Sequence, residues 1–373
     1  MRDFIPQIEP WIDDAELVEL KRVIDSTYVT ENQLTEEFES MIKDLTGSKY
    51  AIATTNGTAA LFCCLKALDI GPGDEVLVPN ITFVATANAV LMAGARPVFC
   101  EVDKNTLCIS PDEVRKRITN DTKAIMPVHL YGQAADMKQL VQIAKENNIK
   151  IIEDAAQGVG VKFNDKHTGT FGDLGILSFY GNKTITCGEG GVILTDSKAL
   201  RDKCYQLKNH GRPVKGTFKH DTIGYNFAFT EMQAAIGISQ LKKLPRIIEK
   251  KKLIYDRYYD RLSALTGKLD KIYVDPRTSP VWWFTSFMVE NADKKVELKD
   301  FLLKKGIQTR DFFYPLHMQP CYKHDKRLVL INIADDFSLS EDVYSRGISL
   351  PSSYNLTIEE QDYIIKCIFE FFE

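Results

Sequence analysis

The chain has 373 residues, 44% of them hydrophobic, enough apolar material for one large core and a smaller second one. Forty-seven basic and fifty-one acidic residues give a formal charge of -4, so no excess of either sign recommends nucleic acid or an anionic membrane as partner. The eight cysteines form no CxxC pair, the start lacks a signal-peptide pattern, and no run of about 18 apolar residues offers a membrane span, so a cytoplasmic location is expected.

Helical patterns come first, at Asp14 to Ser26 and Thr35 to Leu45. Short apolar runs then alternate with helices: strand Tyr50 to Thr54, helix Thr58 to Leu68, strand Glu75 to Pro79, helix Val84 to Met92 and strand Pro97 to Val102. Strand Ala124 to His129, helix Met137 to Lys145, and strands Lys150 to Asp154, Gly175 to Phe179 and Gly191 to Thr195 continue the pattern. Apolar runs buried on both faces and separated by helices predict a mainly parallel α/β sheet, with ligands at the carboxyl ends of its strands. A long helix from Thr230 to about Tyr259 ends the alternation. Beyond it lie an aromatic strand candidate, Val281 to Val289, and helices near Leu298 to Lys305 and Ile358 to Phe371. The expected division is a large domain over 1–245 and a small α+β domain over 246–373, with the first forty residues packing against the latter.

Three segments converge on the predicted rim. Thr54-Thr55-Asn56-Gly57-Thr58 turns a strand into a helix, which suits a phosphate on backbone N–H groups or, more plainly, a helix capped by Thr58. Asp154 ends a strand and reads as a turn residue or as the partner of a protonated ring nitrogen. Lys183 follows Ser178-Phe179-Tyr180-Gly181-Asn182 and precedes a glycine-rich stretch ending in Gly190-Gly191, where backbone can approach a ligand closely. A lysine and a carboxylate so placed suit pyridoxal phosphate, which needs an amine for a Schiff base and an acid to keep its ring cationic. No Gly-Lys-Ser/Thr follows Gly57, which excludes a Walker loop, and no G-x-G-x-x-G follows the first strand, which argues against a nicotinamide enzyme.

Asn56-Gly57-Thr58-Ala59-Ala60-Leu61, Thr82-Phe83-Val84-Ala85-Thr86-Ala87-Asn88, Glu153-Asp154-Ala155-Ala156-Gln157, the lysine segment, Gly224-Tyr225-Asn226-Phe227 and Glu231-Met232-Gln233-Ala234-Ala235 together resemble the sugar-nucleotide aminotransferases of the DegT/DnrJ/EryC1/StrS group. The resemblance covers nearly the whole chain. It implies the fold type I (aspartate aminotransferase-like) architecture of pyridoxal phosphate enzymes, Lys183 as Schiff-base lysine and Asp154 on the pyridine nitrogen. It further implies Gln157 on the ring's phenolic oxygen, Phe83 stacked on the ring, and Gly57, Thr58 and Ser178 on the phosphate. Asn226 would reach the phosphate of a neighbouring subunit, giving a homodimer with shared sites. Read without the resemblance, Phe83 is equally a core aromatic and Asn226 a turn residue.

The same resemblance implies L-glutamate as amino donor and a nucleotide-linked keto sugar as acceptor. Related proteins with histidine at the lysine position remove a 3-hydroxyl instead, and an idle cofactor-binding regulator could lack the substrate segment. Lys183 and Thr309-Arg310-Asp311-Phe312-Phe313-Tyr314-Pro315-Leu316-His317 favour the aminotransferase. The lysine segment's wording favours a GDP-linked 4-keto-6-deoxy sugar over dTDP- or UDP-linked ones, although Cys187 replaces an expected threonine. Substrate contacts are expected from Arg310 and His317, and further phosphate donors from Arg212, Lys215, Lys219 and Arg346. His129 and Glu189 fall on the rim without an assigned role. No metal ligand set is expected.

Overall fold

The computed structural model describes residues 2–214, 216–323 and 335–373. Nine strands precede residue 200: β1 (Tyr50–Thr54), β2 (Glu75–Pro79), β3 (Arg96–Cys100), β4 (Thr122–Ile125), β5 (Lys150–Asp154), β6 (Lys162–Phe163), β7 (Lys166–His167), β8 (Leu174–Ser178) and β9 (Gly191–Thr195). All but β6 and β7 form one sheet in the order β1-β9-β8-β5-β4-β2-β3. Its strands are parallel except β9, which is antiparallel to both neighbours. This is the mixed, mostly parallel α/β sheet that the alternating pattern predicts.

Eight helices accompany these strands: α1 (Asp14–Ser26), α2 (Gln33–Thr46), α3 (Gly57–Ala67), α4 (Ala85–Met92), α5 (Pro111–Arg117), α6 (Met137–Glu146), α7 (Lys198–Lys208) and α8 (Glu231–Arg261). Successive strand residues point to opposite faces, so each strand feeds two cores. Val76, Val78, Ile152, Ile176 and Ile193 pack with α3 and α4 on one face. On the other, Leu77, Ile125 and Ile151 meet α5 and α6, while Ala53, Leu177 and Val192 meet Phe38 of α2 and Ile238 of α8. Burial on both faces explains the near-continuous Val/Ile/Leu wording of the strands.

Strand β4 is shorter than expected because Pro127 has no N–H for the ladder. Beyond it, single hydrogen bonds from Asp154 N–H to the Pro127 carbonyl (2.9 Å) and from His129 N–H to the Asp154 carbonyl (3.1 Å) continue the pairing. Helix α8 runs unbroken across residues 245–246, with Pro245 inside it. Helices α1 and α2 lie against α8, and α2 also against β1, while the segment before α1 crosses to the second sheet through an Ile5–Ile307 bridge.

That second sheet has the order β10-β12-β14-β13, from β10 (Leu269–Lys271), β12 (Thr285–Val289), β13 (Arg310–Asp311) and β14 (Gly347–Leu350). The short β11 (Thr278–Ser279) joins the β6–β7 hairpin instead. Among the described residues four helices follow β12: α9 (Ala292–Lys304), α10 (Pro320–Lys323), α11 (Ser338–Arg346) and α12 (Ile358–Phe372). Phe287, Leu298, Ile348 and Ile364 share its core with the end of α8. The expected strand from Val281 begins only at Thr285, because residues 281–284 are pressed against the large sheet's loops. Gly132, at φ +85°, accepts this approach: a Cβ there would fall 2.4 Å from the Val281 carbonyl oxygen. Among the described residues no helix is long and apolar enough to cross a membrane, and all eight cysteines are free, with Cys321 alone exposed.

Candidate active site

The shared direction of β1, β2, β5 and β8, with β1 and β8 each antiparallel to the β9 between them, brings their carboxyl ends to one rim. From β1 the chain turns into α3, and the cap is Asn56, whose side chain accepts from Ala59 N–H at 2.9 Å. Thr58 is thereby freed from the capping role that its position suggests. A Cβ on Gly57 would lie 3.3 Å from the Cβ of Ser178, and one on Gly191 only 2.5 Å from the Asn56 carbonyl oxygen. The start of α3, Ser178 at the end of β8 and the start of β9 therefore meet at near backbone contact. Helix N-terminal N–H groups and two hydroxyls, on Thr58 and Ser178, make an anion seat there.

Asp154 ends β5 and is buried. Its Oδ2 accepts from Thr86 Oγ1 at 2.8 Å and its Oδ1 from Ala156 N–H at 3.1 Å. Burial pushes its pKa up, against the opposing Thr86 hydrogen bond and the nearby charge of Lys183. Beneath it, His129 Nδ1 accepts from Ala135 N–H (3.2 Å), which leaves the ring proton on Nε2, facing Glu153 Oε2 at 3.0 Å. Glu153 also accepts from Gly169 and Gly172 N–H groups at 2.8 and 2.7 Å, so this buried carboxylate is satisfied within the protein.

Lys183 sits on the turn after β8, its N–H bonded to the Tyr180 carbonyl at 2.9 Å. Its Nζ stands over the ring of Trp283 at 4.2 Å. The residue is half-buried by surface area, yet the protein packed around its amine pulls the pKa down to about 8. Burial is the main cause, Arg310's charge adds to it, and Asp154 opposes. Arg310 reaches in from β13 with its guanidinium 5.2 Å from the Phe284 ring centroid, and desolvation lowers its pKa too. It forms no ion pair among the described residues. The two sheets thus present a lysine, a carboxyl group and an unpaired arginine to one space.

Gln157 Oε1 accepts from Tyr131 N–H at 2.9 Å, which leaves its amide donors free. Phe83, beyond β2, is 58% exposed, and its ring centroid lies 6.2 Å from that of Phe313. Asn226 is exposed on the loop that pairs with Asn209 next to α7. His317 is engaged within the protein: its Nδ1 is 2.9 Å from Asn80 Nδ2, its Nε2 faces Glu341 at 3.1 Å, and its ring is buried against Phe337. Both nitrogens have protein partners, so the ring ties its segment to the end of β2. Arg212 bonds Asn209 Oδ1 (2.7 Å), Lys219 is exposed, Arg346 lies 3.5 Å from Asp342, and Lys215 lies outside the described residues. Glu189 is exposed at the lysine loop, its backbone carbonyl held by Gln233. Among the described residues no cluster of His, Cys, Asp and Glu could hold a metal ion.

Thr86, Trp283 and Tyr131 were not singled out by sequence reasoning. Thr86 lay inside a quoted motif, whereas the Trp282-Trp283-Phe284 run reads equally well as a strand.

These residues fit pyridoxal phosphate. A buried carboxyl group raised by burial favours a cationic N–H beside it, the anion seat suits a phosphate, and a desolvated amine lies within electrostatic reach of the carboxyl group. Fold and donor set thus define a pyridoxal phosphate enzyme of the aminotransferase type. The DegT/DnrJ/EryC1/StrS aminotransferase family model matches residues 10–369, and the chain belongs to this family of pyridoxal phosphate-dependent enzymes. It is 38% identical over 375 residues to a GDP-perosamine synthase of Escherichia coli O157:H7, covering 99% of each chain. A GDP-perosamine synthase of Vibrio cholerae is 37% identical over 371 residues, again covering 99% of each. Among solved structures, NtdA of Bacillus subtilis with bound cofactor PMP is 32% identical, with a TM-score of 0.88, over 96% of this chain and 81% of that one.

Proposed function

We propose that this chain moves an amino group from L-glutamate to a nucleotide-linked 4-keto-6-deoxy sugar, GDP-4-keto-6-deoxy-mannose giving GDP-perosamine being the foremost pair. The desolvated amine of Lys183, near the buried carboxyl group of Asp154 and within electrostatic reach of Arg310, which has no ion pair among the described residues, carries this reading. The near full-length likeness to two GDP-perosamine synthases supports the choice of sugar.

In this reading the Lys183 amine would hold the cofactor and, when free, would carry a proton to and from the donor's alpha carbon. Bound there, the cofactor supplies an aldehyde for amines to condense with and a cationic ring that withdraws electrons from the neighbouring carbon. Asp154 keeps that ring protonated, and Thr86 fixes the carboxylate's orientation. Gln157, its oxygen held by Tyr131, turns its amide donors to the phenolic oxygen. Phe83 covers the ring, while Gly57, Thr58 and Ser178 seat the phosphate. Asn226 is exposed, so we assign it to the phosphate of a neighbouring copy in a homodimer. Arg310 meets an anionic group of donor or sugar nucleotide.

The test is spectroscopic. Purified protein should be yellow, bleach with glutamate, and recover its colour with GDP-4-keto-6-deoxy-mannose faster than with dTDP- or UDP-linked 4-keto or 3-keto sugars. Faster recovery with one of the latter would replace the sugar, and failure to bleach with glutamate would remove the donor.

A further inference from the structure

We propose that Trp283 is a positioning residue for Lys183: its indole face seats the amine, and its N–H pins the loop that carries it. Two separate contacts place it there. Lys183 Nζ lies 4.2 Å from the ring centroid, and Trp283 Nε1–H donates to the carbonyl of Asn182, the residue just before the lysine, at 2.6 Å. One side chain therefore fixes both the amine and the backbone leading to it.

Trp283 is itself held from several sides. Its backbone carbonyl accepts from Lys251 Nζ (3.1 Å), and the same ammonium donates to the Ser352 carbonyl (3.0 Å), which ties α8, the 281–284 segment and the chain after β14 together. Phe284 stacks on its ring at 3.8 Å, and Gly132 receives the neighbouring Val281 backbone. Residues 281–284 thus leave the ladder of β12 and present an aromatic face to the lysine. An aromatic face attracts an ammonium most strongly where water is excluded. The charged groups acting on Lys183 are Asp154 from β5 and Arg310 from β13, one attractive and one repulsive. Trp283 adds attraction without adding a charge, which helps hold the amine between them.

The inference rests on Lys183 as the reactive amine, so its test reads that amine in the cofactor-free chain. Competitive acetylation with mass-spectrometric readout gives the pH midpoint of Lys183, and steady-state kinetics give kcat and KM. Trp283→Phe keeps a ring under the amine and should leave the midpoint near that of the parent. Trp283→Leu should move it down, so labelling at neutral pH rises several-fold, and should lower kcat more than Trp283→Phe does, with little change in the KM for glutamate. Should Trp283→Leu fail to fold, biosynthetic fluorotryptophans weaken the ring face at nearly constant shape, and the midpoint should fall as fluorines are added. A midpoint unmoved or raised in folded Trp283→Leu or in the fluorinated series, or equal effects of Phe and Leu, would overturn the proposal. Lys183→Ala could still abolish turnover in that case, so the two failures are distinguishable.

Discussion

The rim of the seven-stranded sheet and the edge of the four-stranded sheet face one another across the site, and they are finished to different degrees. On the rim, protein groups already answer the polar atoms: Asp154 is held by Thr86 and Ala156, Glu153 by His129 and three backbone N–H groups, and Gln157 by Tyr131. Across the gap, His317 is likewise consumed by Asn80 and Glu341, but Arg310 has no carboxylate partner among the described residues. Arg310 is exposed at the edge of the sheet, so its guanidinium is free to meet an anion that a ligand brings. The rim is thus organised to hold a resident group in a fixed pose, and the opposite edge to receive a transient anion.

Substitutions on the two sides should separate accordingly. Lys183→Ala should have the largest effect, since proton transfer by a positioned side chain contributes roughly 10²–10⁴-fold and the covalent anchor is lost with it. Circular dichroism should find the fold unchanged. Asp154→Asn should lower kcat by roughly 10²–10³-fold, the range for losing one preorganised electrostatic partner, and unchanged turnover would contradict the ring-nitrogen assignment. Arg310→Met should act on the transient side. A hydrogen bond to a charged group is worth about 1.5–3 kcal/mol, so kcat/KM should fall roughly 10- to 100-fold, mainly through KM, while cofactor binding is retained. His317→Leu sharpens the contrast, because it should destabilise by about 1–3 kcal/mol, from a buried Asn80 amide left unpaired, with kcat little altered. A selective loss of substrate affinity there would return His317 to the substrate.

The smallest effect concerns pH. Burial lowers Lys183 to about 8 and Lys251 to about 7. Above those values the unfolded chain, whose lysines titrate near the ordinary 10.5, binds more protons than the folded one, so the contribution of each lysine to stability rises with pH through that window. The buried cysteines, raised by burial, act with the opposite sign as pH climbs past 9, so the lysine is read as a difference: the urea midpoint of the cofactor-free parent minus that of Lys251→Met should rise between about pH 7 and 10.

The alternation of buried strands and helices was legible because strand residues feed two cores and so leave an unbroken apolar wording. Asp154, Lys183 and Gly57-Thr58 were placed on one rim by that reading, since a strand end is fixed by topology once the sheet is parallel. What was not legible depends on contacts between distant segments. Asn56 rather than Thr58 caps α3, a choice between adjacent residues that sequence alone leaves open. Trp283 reaches Lys183 only because residues 281–284 dock on Gly132 and Lys251, while β propensity alone reads the same aromatic run as ladder. His317 reads as a substrate contact by residue type alone, and its burial between Asn80 and Glu341 depends on segments far apart in sequence.

The most direct measurement is peptide mapping of the yellow protein after borohydride reduction, which fixes the cofactor to whichever amine carries it. The label should fall on the peptide containing Lys183. A label on another buried lysine, such as Lys251 or Lys208, with Lys183 unmodified would contradict the account.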